Sequence, residues 1–435
     1  MFQNKEPSKY EVEELIRTFN NGQYAKALRS SLRMTSVFPS FQIGWKCLGA
    51  LMRQDGRLMD AIVAMEKSVE LIPTDSEAHS NLGATLRDAG RLEAAQNRCR
   101  KAISLDPKNF KAHHNLGNAL KDLGQLNQAV ESYQRALALK PDFPEAHNNL
   151  ANTLKELGRF IEAEFSCRQA ISLKADLVEA HINLANTLRD LGRLAESEAS
   201  CQFAIALRPD NAQAHNNYAA TLIEQGRLKQ AQASCRQAIA LKPDLVQAHV
   251  NLGNVLRDLG RLTEAQASYR QAIELRPELS EAHSNLLLAI NYTDEISNES
   301  RLSVARHFGE LFSKKTTAKF SEWECLKPLK KLKIGFVSGD LREHPVGYFL
   351  EGLLSNIDAS KFELIAYSTQ FAEDALTQKI KPFFKHWRSL LGKSDEAAAK
   401  LIHEDAPHIL IDLAGHTAHN RLPIFAYKPA PIQVS

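Results

Sequence analysis

Two short loops near the end of the sequence carry side chains that could bind a ligand or move a proton. The first loop contains Asp340 and His344, and the second contains Asp412, His416 and Thr417. A histidine can exchange a proton near neutral pH, while carboxylates and hydroxyls can orient a polar substrate. From residue types alone, these loops are interpreted either as a ligand site or as polar loops without a ligand.

The segments around these loops predict the elements that position them. A buried strand is predicted over residues 333–338 and further strands over 362–368 and 408–413. A fourth strand, also expected to be buried, begins at Ile432. Helices are expected between the strands, one of them after the N-cap residue Ser394 and another near residues 420–427. Strands that alternate with helices predict a parallel, Rossmann-like sheet, which binds ligands at the carboxyl ends of its strands. Both loops fall where this rule places a site.

A strict sequence period precedes the predicted sheet. Glycines recur every 34 residues, at Gly22, Gly56, Gly90, Gly124, Gly158, Gly192, Gly226 and Gly260. That period is typical of the tetratricopeptide repeat, a helix-turn-helix unit. Each glycine lies in a short polar break, where a positive φ can end one helix and allow the next to begin. We therefore predict an α-solenoid, a tetratricopeptide-repeat superhelix, with regular repeats from about residue 42 and degenerate repeats at both ends.

The period ends where Asp294 stands in place of the next glycine. Three regions are predicted from these changes: 8–290 for the repeats, 291–330 for a capping helix and a connector, and 331–435 for the α/β segment. The capping helix is expected over residues 298–314, because Leu302, Ala305, Phe308, Leu311 and Phe312 fall on one side of it.

Asparagines form two rows on the first helices of the repeats. The first row consists of Asn81, Asn115, Asn149, Asn183, Asn217, Asn251 and Asn285, and the second row, three residues later, of Asn118, Asn152, Asn186 and Asn254. An amide offers both donors and an acceptor, so such rows could hold the backbone of an extended peptide whatever its sequence. The alternative is that these amides bond between stacked helices.

Histidine and cysteine columns follow the same period, and both are interpreted as packing positions. The histidines stand at seven positions from His79 to His283, and four cysteines share a second-helix column in which Tyr133 and Tyr269 also occur. Metal–nitrogen bonds are about 2 Å long, whereas adjacent helices pack about 8–10 Å apart, so a metal array is not favoured. No metal site is predicted.

Composition excludes several classes of protein. The net charge of +3 over 435 residues is too small to indicate nucleic-acid binding. No apolar run is long enough to span a membrane, and the first residues lack the apolar core of a signal peptide. A cytoplasmic protein with reduced thiols is expected.

Three segments carry a family resemblance: the strand and loop that end in His-Pro-Val-Gly (333–347), Asp-Leu-Ala-Gly-His-Thr (412–417) and Lys-Pro-Ala-Pro-Ile-Gln-Val-Ser (428–435). Together they resemble the opening of the catalytic domain of bacterial O-GlcNAc transferases, and Spindly-type transferases share this layout. The resemblance covers the repeats, the connector and about the first hundred catalytic residues. It implies that the α/β segment is part of a Rossmann-like lobe of a GT-B glycosyltransferase.

The resemblance also implies a reaction and roles for the loop residues. The family transfers N-acetylglucosamine from the donor substrate UDP-GlcNAc to serine or threonine hydroxyls, with inversion and without a metal or cofactor. His344 matches the histidine of the family's His-Pro motif, as a general base or a sugar contact. Thr417 is expected near the sugar, and Asp412 and His416 are weaker candidates. The first asparagine row is similar to the asparagine ladder of these enzymes, which favours extended protein segments as partners.

Ser435 lies where the family continues with the rest of the first lobe and a second lobe that binds the nucleotide. We therefore expect this chain alone to bind UDP-GlcNAc weakly and not to turn over. Two alternatives stay open: a non-catalytic scaffold that only binds proteins, and an O-fucosyltransferase of the Spindly type. Dimerisation through a repeat surface is also left open.

Overall fold

The computed structural model of the chain describes residues 6–293, 296–316, 319–326, 331–370, 373–417 and 419–435. The chain packs as two compact units, residues 1–187 and 188–435, and the boundary lies inside a repeat helix. This division differs from the predicted one at 290 and 330, and those boundaries stay predictions. No helix in the described ranges has the length and apolar character needed to cross a membrane.

The first unit consists of helix pairs. Its helices are α1 (Lys9–Asn20), α2 (Tyr24–Val37), α3 (Gln42–Gln54), α4 (Leu58–Leu71), α5 (Ser76–Asp88), α6 (Leu92–Leu105), α7 (Phe110–Asp122), α8 (Leu126–Leu139), α9 (Pro144–Glu156), α10 (Phe160–Leu173) and most of α11 (Val178–Asp190). The segment that keeps least of the repeat pattern, residues 8–41, still forms a helix pair.

The second unit continues with helices and ends with the sheet. Its repeat helices are α12 (Leu194–Leu207), α13 (Ala212–Glu224), α14 (Leu228–Leu241), α15 (Val246–Asp258), α16 (Leu262–Leu275) and α17 (Ser280–Asn291), followed by α18 (Asn298–Lys315). The α/β segment contains β1 (Leu332–Ser338), α19 (Pro345–Leu354), β2 (Phe362–Ser368), α20 (Ala375–Ile380), β3 (His386–Ser389), α21 (Asp395–Asp405), β4 (Ile409–Asp412) and β5 (Ile432–Val434).

The repeating glycines make the turns that the period predicts. All eight have φ between 71° and 76°, a left-handed conformation that costs glycine little. The small side chains that recur at Ala95, Ala129 and Ala163 are fully buried, as are those at Ala102 and Ala136. A small residue lets two helices approach closely, so these columns fix how each helix packs on the next. The tetratricopeptide solenoid is confirmed.

The histidine column closes the turn that precedes each first helix. Each histidine Nε2 lies 2.8–3.1 Å from the carbonyl oxygen six residues earlier, which is a proline carbonyl in six of the seven repeats. Several of these rings are buried, such as His79 and His283. No group of three His, Cys, Asp or Glu side chains in the part of the chain that the structure describes could hold a metal ion.

The sheet is five-stranded and entirely parallel, in the order β3-β2-β1-β4-β5. The chain runs from β1 outward to β3 and then returns to the other side of β1. The topological switch point therefore lies between β1 and β4, where an open parallel sheet binds its ligands. Phe336 and Leu364 belong to the apolar cluster on one face, and Val337 and Tyr367 to the cluster on the other.

Several predictions about the α/β segment were wrong in detail. Strand β3 and helix α20 were missed, because β3 is only four residues long and has a single large apolar residue, Trp387. The helix predicted near 420–427 is present as a 3₁₀ helix, Leu422–Tyr427, rather than as an α-helix. Strand β5 was predicted to be buried, yet it forms the sheet edge, with Ile432 and Val434 about half exposed.

A helix lies where the capping helix is predicted, but its buried face differs from the predicted one. Helix α18 begins after the N-cap residue Ser297 and buries Phe308 and Phe312 against Leu287 of α17. Leu302 and Ala305 are exposed instead, and Val304 joins the contact. Parts of the predicted connector, residues 317–318 and 327–330, lie outside the described residues, as does the Asp294 turn.

Candidate functional site

His344 lies at the start of α19, directly beyond the carboxyl end of β1. Its Nδ1 accepts a hydrogen bond from the Val346 backbone N–H at 3.3 Å, so the imidazole caps the helix. Asp340 Oδ2 is 3.9 Å from the same nitrogen, which is beyond hydrogen-bonding distance. An acceptor Nδ1 in a neutral ring leaves the proton on Nε2, so His344 is arranged as a donor through Nε2.

The loop that carries His344 folds closely over its own helix. A Cβ at Gly347 would lie 2.1 Å from the Arg342 carbonyl oxygen and 3.1 Å from that of Asp340. Asp374 Oδ2 accepts a hydrogen bond from the backbone N–H of Glu343, which also restrains this loop. The position of His344 therefore depends on a glycine three residues after it in the sequence.

Asp412 uses its carboxylate to build the second loop. At the end of β4, Oδ1 accepts from the Ala414 N–H at 3.2 Å and Oδ2 accepts from the Gly415 N–H at 2.7 Å. The hydroxyl of Ser435 donates to Oδ2 at 2.8 Å. A short carboxylate that binds the N–H groups following it is a common turn-forming arrangement. Asp412, which is buried, therefore positions the loop.

His416 and Thr417 have different surroundings in this loop. His416 Nδ1 is 3.1 Å from Ser284 Oγ of α17, and its ring packs edge-on against Phe308 of α18. Burial lowers the pKa of His416, which favours the neutral ring in this contact. Thr417 is exposed, and its hydroxyl donates to the Ala414 carbonyl at 2.7 Å. His416 thus connects the loop to α17 and α18, whereas Thr417 is exposed.

His419 is a site residue that the sequence did not reveal. It has a positive φ of 59°, and its carbonyl oxygen accepts from the Thr369 hydroxyl at 2.9 Å, beyond the end of β2. A Cβ at Gly339 would lie 2.9 Å from the His419 Cβ, so this residue also contacts the loop of His344. Desolvation, and secondarily the charge of Arg342, lower the pKa of His419. Its unusual backbone conformation has no sequence signal.

Most amide nitrogens of the first asparagine row donate hydrogen bonds to the preceding repeat. With N···O distances of 2.8–3.1 Å, the donors and acceptors are Asn149 to Asn118, Asn183 to Asn148, Asn251 to Asn216 and Asn285 to Asn254. Asn115 Nδ2 donates in the same way to Ser80 Oγ at 3.0 Å. The alternative interpretation, bonds between stacked helices, is therefore confirmed for these donors.

Other atoms of the two rows stay unbonded within the described residues. They include the side chains of Asn81, Asn152 and Asn186 and the amide oxygens of Asn183 and Asn285. Asn217 differs, because its oxygen accepts from Gln213 at 2.9 Å while its Nδ2 is buried without a partner in the described ranges. The peptide-binding role of the rows stays a prediction.

A cavity of about 890 Å³ joins the asparagine rows to the second loop. Its lining includes Asn254 and Asn285 from α15 and α17, and Thr417, His419 and Asn420 from the loop after β4. His344 is not part of this lining and lies in the neighbouring loop, across the switch point. The structure thus brings the end of the predicted peptide row and the predicted sugar-site threonine into one space.

Charged residues also border this cavity. Earlier repeats pair a base with an acid 35 residues later, as in Arg87–Asp122 at 2.6 Å and Arg189–Glu224 at 3.2 Å. Arg257 has Tyr292 at that spacing, so it pairs with its neighbour Asp258 at 2.9 Å. The charged pairs of the earlier repeats therefore link consecutive repeats.

Comparison with known proteins gives the two parts of the chain separate matches. Residues 291–435 match the model for glycosyl transferase family 41. Tetratricopeptide models match residues 85–124, 117–158, 144–177, 182–246 and 253–289. The chain combines tetratricopeptide repeats with a glycosyl transferase family 41 segment. In this segment, the loops of His344 and Thr417 lie beyond β1 and β4.

Parts of this chain are similar to proteins that are named as N-acetylglucosaminyltransferases. A probable UDP-N-acetylglucosamine–peptide N-acetylglucosaminyltransferase SPINDLY of Hordeum vulgare is 38% identical over 154 residues, which are 34% of this chain and 16% of that protein. The corresponding protein SEC of Arabidopsis thaliana is 35% identical over 107 residues, 24% of this chain and 11% of that protein. A mutant O-GlcNAc transferase of Thermobaculum terrenum aligns with a TM-score of 0.55 and 33% identity, covering 59% of this chain and 49% of that chain.

Proposed function

We propose that this chain is the acceptor-recruiting part of a protein O-GlcNAc transferase. The repeats bind an extended protein segment, and the family 41 segment receives a serine or threonine hydroxyl at the far end of the asparagine rows. The donor is UDP-GlcNAc. The acceptor oxygen forms a new bond to the sugar C1, and the bond between C1 and the phosphate oxygen of UDP breaks. UDP leaves with the electrons of that bond, and the hydroxyl proton is released to solvent. No metal or cofactor is part of this proposal.

The shared cavity is the observation that carries the proposal. Asn254 and Asn285 terminate the two rows, and Thr417 lines the same 890 Å³ space. A peptide that follows the rows would therefore reach the switch point of the sheet, where a parallel sheet places its ligands. The volume falls within the range of about 300–1,000 Å³ that is usual for ligand pockets.

His344 is proposed as a donor to the sugar or its phosphate rather than as the general base. Its Nδ1 already accepts from the Val346 N–H, so the neutral ring carries its proton on Nε2. A ring in that tautomer can stabilise negative charge on an oxygen by donating to it. For Thr417, the proposed role is contact with the sugar through its exposed side chain.

Binding and transfer experiments test the proposal. The chain is titrated with fluorescein-labelled peptides that contain a central serine, and separately with UDP-GlcNAc and GDP-fucose. A longer version with a complete family 41 catalytic domain is then incubated with each donor, and the peptide is analysed by mass spectrometry. We expect peptide binding by both proteins, addition of one N-acetylhexosamine by the longer one, and strong loss of transfer in His344→Ala. Peptide binding without any sugar transfer by the longer version would refute the enzyme proposal.

A protein-binding scaffold is the second candidate, favoured by the way the site groups are used. Asp412 is occupied by two backbone N–H groups, His416 by Ser284, and the Thr417 hydroxyl by a carbonyl. These bonds are sufficient to explain each residue without a substrate. The scaffold predicts that His344→Ala has no effect on any property except local stability.

A further inference from the structure

A tyrosine holds the last asparagine of the second row in one orientation. Tyr269 Oη donates to Asn254 Oδ1 at 2.8 Å, and Asn285 Nδ2 donates to the same oxygen at 3.1 Å. Because a carbonyl oxygen has two lone pairs, these donors occupy both. Asn254 Nδ2 has no acceptor among the described residues, and Asn254 lines the cavity that contains Thr417.

The same arrangement occurs once more, and it requires a glycine. Tyr133 Oη donates to Asn118 Oδ1 at 2.8 Å, four repeats earlier. The two tyrosine rings are fully buried, and a Cβ at Gly117 or Gly253 would lie 2.6 or 2.4 Å from a ring atom. Glycine is therefore needed beside each tyrosine for the ring to reach the neighbouring asparagine.

A repeat without the tyrosine leaves its second-row amide unrestrained. Cys167 occupies the tyrosine column in α10, and Ala151 stands at the repeat position of Gly117 and Gly253. A thiol side chain is too short to reach the adjacent Asn152, whose amide has no partner in the described part of the chain. Such an amide can rotate and offer either its oxygen or its nitrogen.

We propose that Tyr269 is a positioning residue for the acceptor peptide, an inference that rests on the proposed function. Tyr269 turns Asn254 into a fixed donor at the entrance to the sheet, so the peptide docks with a backbone carbonyl on Asn254 Nδ2. Residues of an extended chain are about 3.3 Å apart and alternate in direction, so a slip of one residue would turn the hydroxyl away from Thr417. A single donor orientation prevents this slip.

Register mapping tests the proposal in the full chain. Short fluorescein-labelled peptides with a central serine are selected from a random pool for the tightest binding to the wild-type chain. A bromoacetyl group is then placed at each peptide position in turn. The thiol introduced by Thr417→Cys reports which position is alkylated, and mass spectrometry distinguishes this thiol from the natural ones. Tyr269→Phe removes only the hydroxyl, and Tyr133→Phe is the matched control, because it breaks the same bond far along the row.

We expect one dominant alkylated position with Tyr269 intact. Tyr269→Phe should spread alkylation over neighbouring positions and lower peptide affinity about three- to tenfold, the usual value of one hydrogen bond. Tyr133→Phe should keep the dominant position. The inference is overturned if Tyr269→Phe leaves position and affinity unchanged, or if Tyr133→Phe spreads the alkylation equally. Absence of any peptide binding by the wild-type chain would overturn the proposed function itself, and this inference with it.

Discussion

Two glycines of helix α19 should respond to alanine with opposite signs. A Cβ at Gly347 would lie 2.1 Å from the Arg342 carbonyl oxygen, whereas a Cβ at Gly352 would meet no atom within 4 Å. The Gly347→Ala variant must therefore move backbone by about 0.9 Å to reach the 3.0 Å below which such contacts do not occur. The loop that moves is the one that carries His344.

The magnitudes follow from two opposing effects. Forcing extra volume into a packed site costs about 1–3 kcal/mol, and alanine in place of glycine inside a helix gains about 0.5–1 kcal/mol. Gly347 lies in the first turn, where the gain is small, so Gly347→Ala should lower the free energy of unfolding by about 1–2 kcal/mol. Gly352 is exposed inside the helix, so Gly352→Ala should raise it by about 0.5–1 kcal/mol.

Hydrogen exchange of the whole chain measures both changes locally. Protection of the amides in β1 and α19 should fall in Gly347→Ala and rise in Gly352→Ala, while protection of repeat helices stays constant in both. Urea unfolding followed through tryptophan fluorescence gives a second measure, because Trp387 of β3 packs against Phe384. Equal stabilisation by the two variants would refute the steric reasoning, and with it the claim that Gly347 sets the position of His344.

Four further outcomes follow from the structure. Burial raises the pKa of the thiols of Cys99, Cys167, Cys201 and Cys235 to about 12. A thiol reagent at pH 8 should therefore react slowly with these four thiols in the folded chain, whereas in urea it should react readily with all six cysteines. Burial lowers the pKa of His114 to about 4, below its unfolded value, so its stabilising effect is complete above about pH 6.5 and is lost toward pH 4. In the His114→Gln variant, the free energy of unfolding should therefore change less between about pH 4 and pH 6.5 than in the wild-type chain. The Arg87→Ala variant loses the exposed ion pair with Asp122. Its free energy of unfolding, measured by thermal unfolding, should fall by less than about 1 kcal/mol, and added salt should make the difference smaller. The triple change Asn149→Ala, Asn183→Ala and Asn217→Ala should weaken peptide binding by fluorescence polarisation, while the circular-dichroism melt stays cooperative.

The sequence predicted the repeats well because their signals are local. A positive φ at glycine and a small side chain at a helix crossing each depend on the residue at one position, and both recur at eight positions that are 34 residues apart. The parallel sheet followed from its buried central strands. Strand β3 escaped because its stability comes from pairing with β2 rather than from its own residues. The exposure of β5 could not be predicted, since only the strand order shows which strand is the edge.

The site was predicted less completely because side-chain partners are distant in sequence. Whether an asparagine binds a peptide or another asparagine depends on helix packing across 31 or 35 residues. The sequence indicated His416 as a candidate site residue, yet its side chain contacts Ser284, which lies 132 residues away in the sequence. Asp412 shows the opposite case, since its bonds are local and typical of a short acidic side chain after a strand.

A structure of the chain with a bound serine-containing peptide would test the central proposal most directly. We expect an extended peptide along the asparagine rows, with a backbone carbonyl within about 3.2 Å of Asn254 Nδ2 and the serine side chain beside Thr417. A peptide bound on any other face of the repeats, with the cavity between Asn285 and Thr417 left empty, would contradict it.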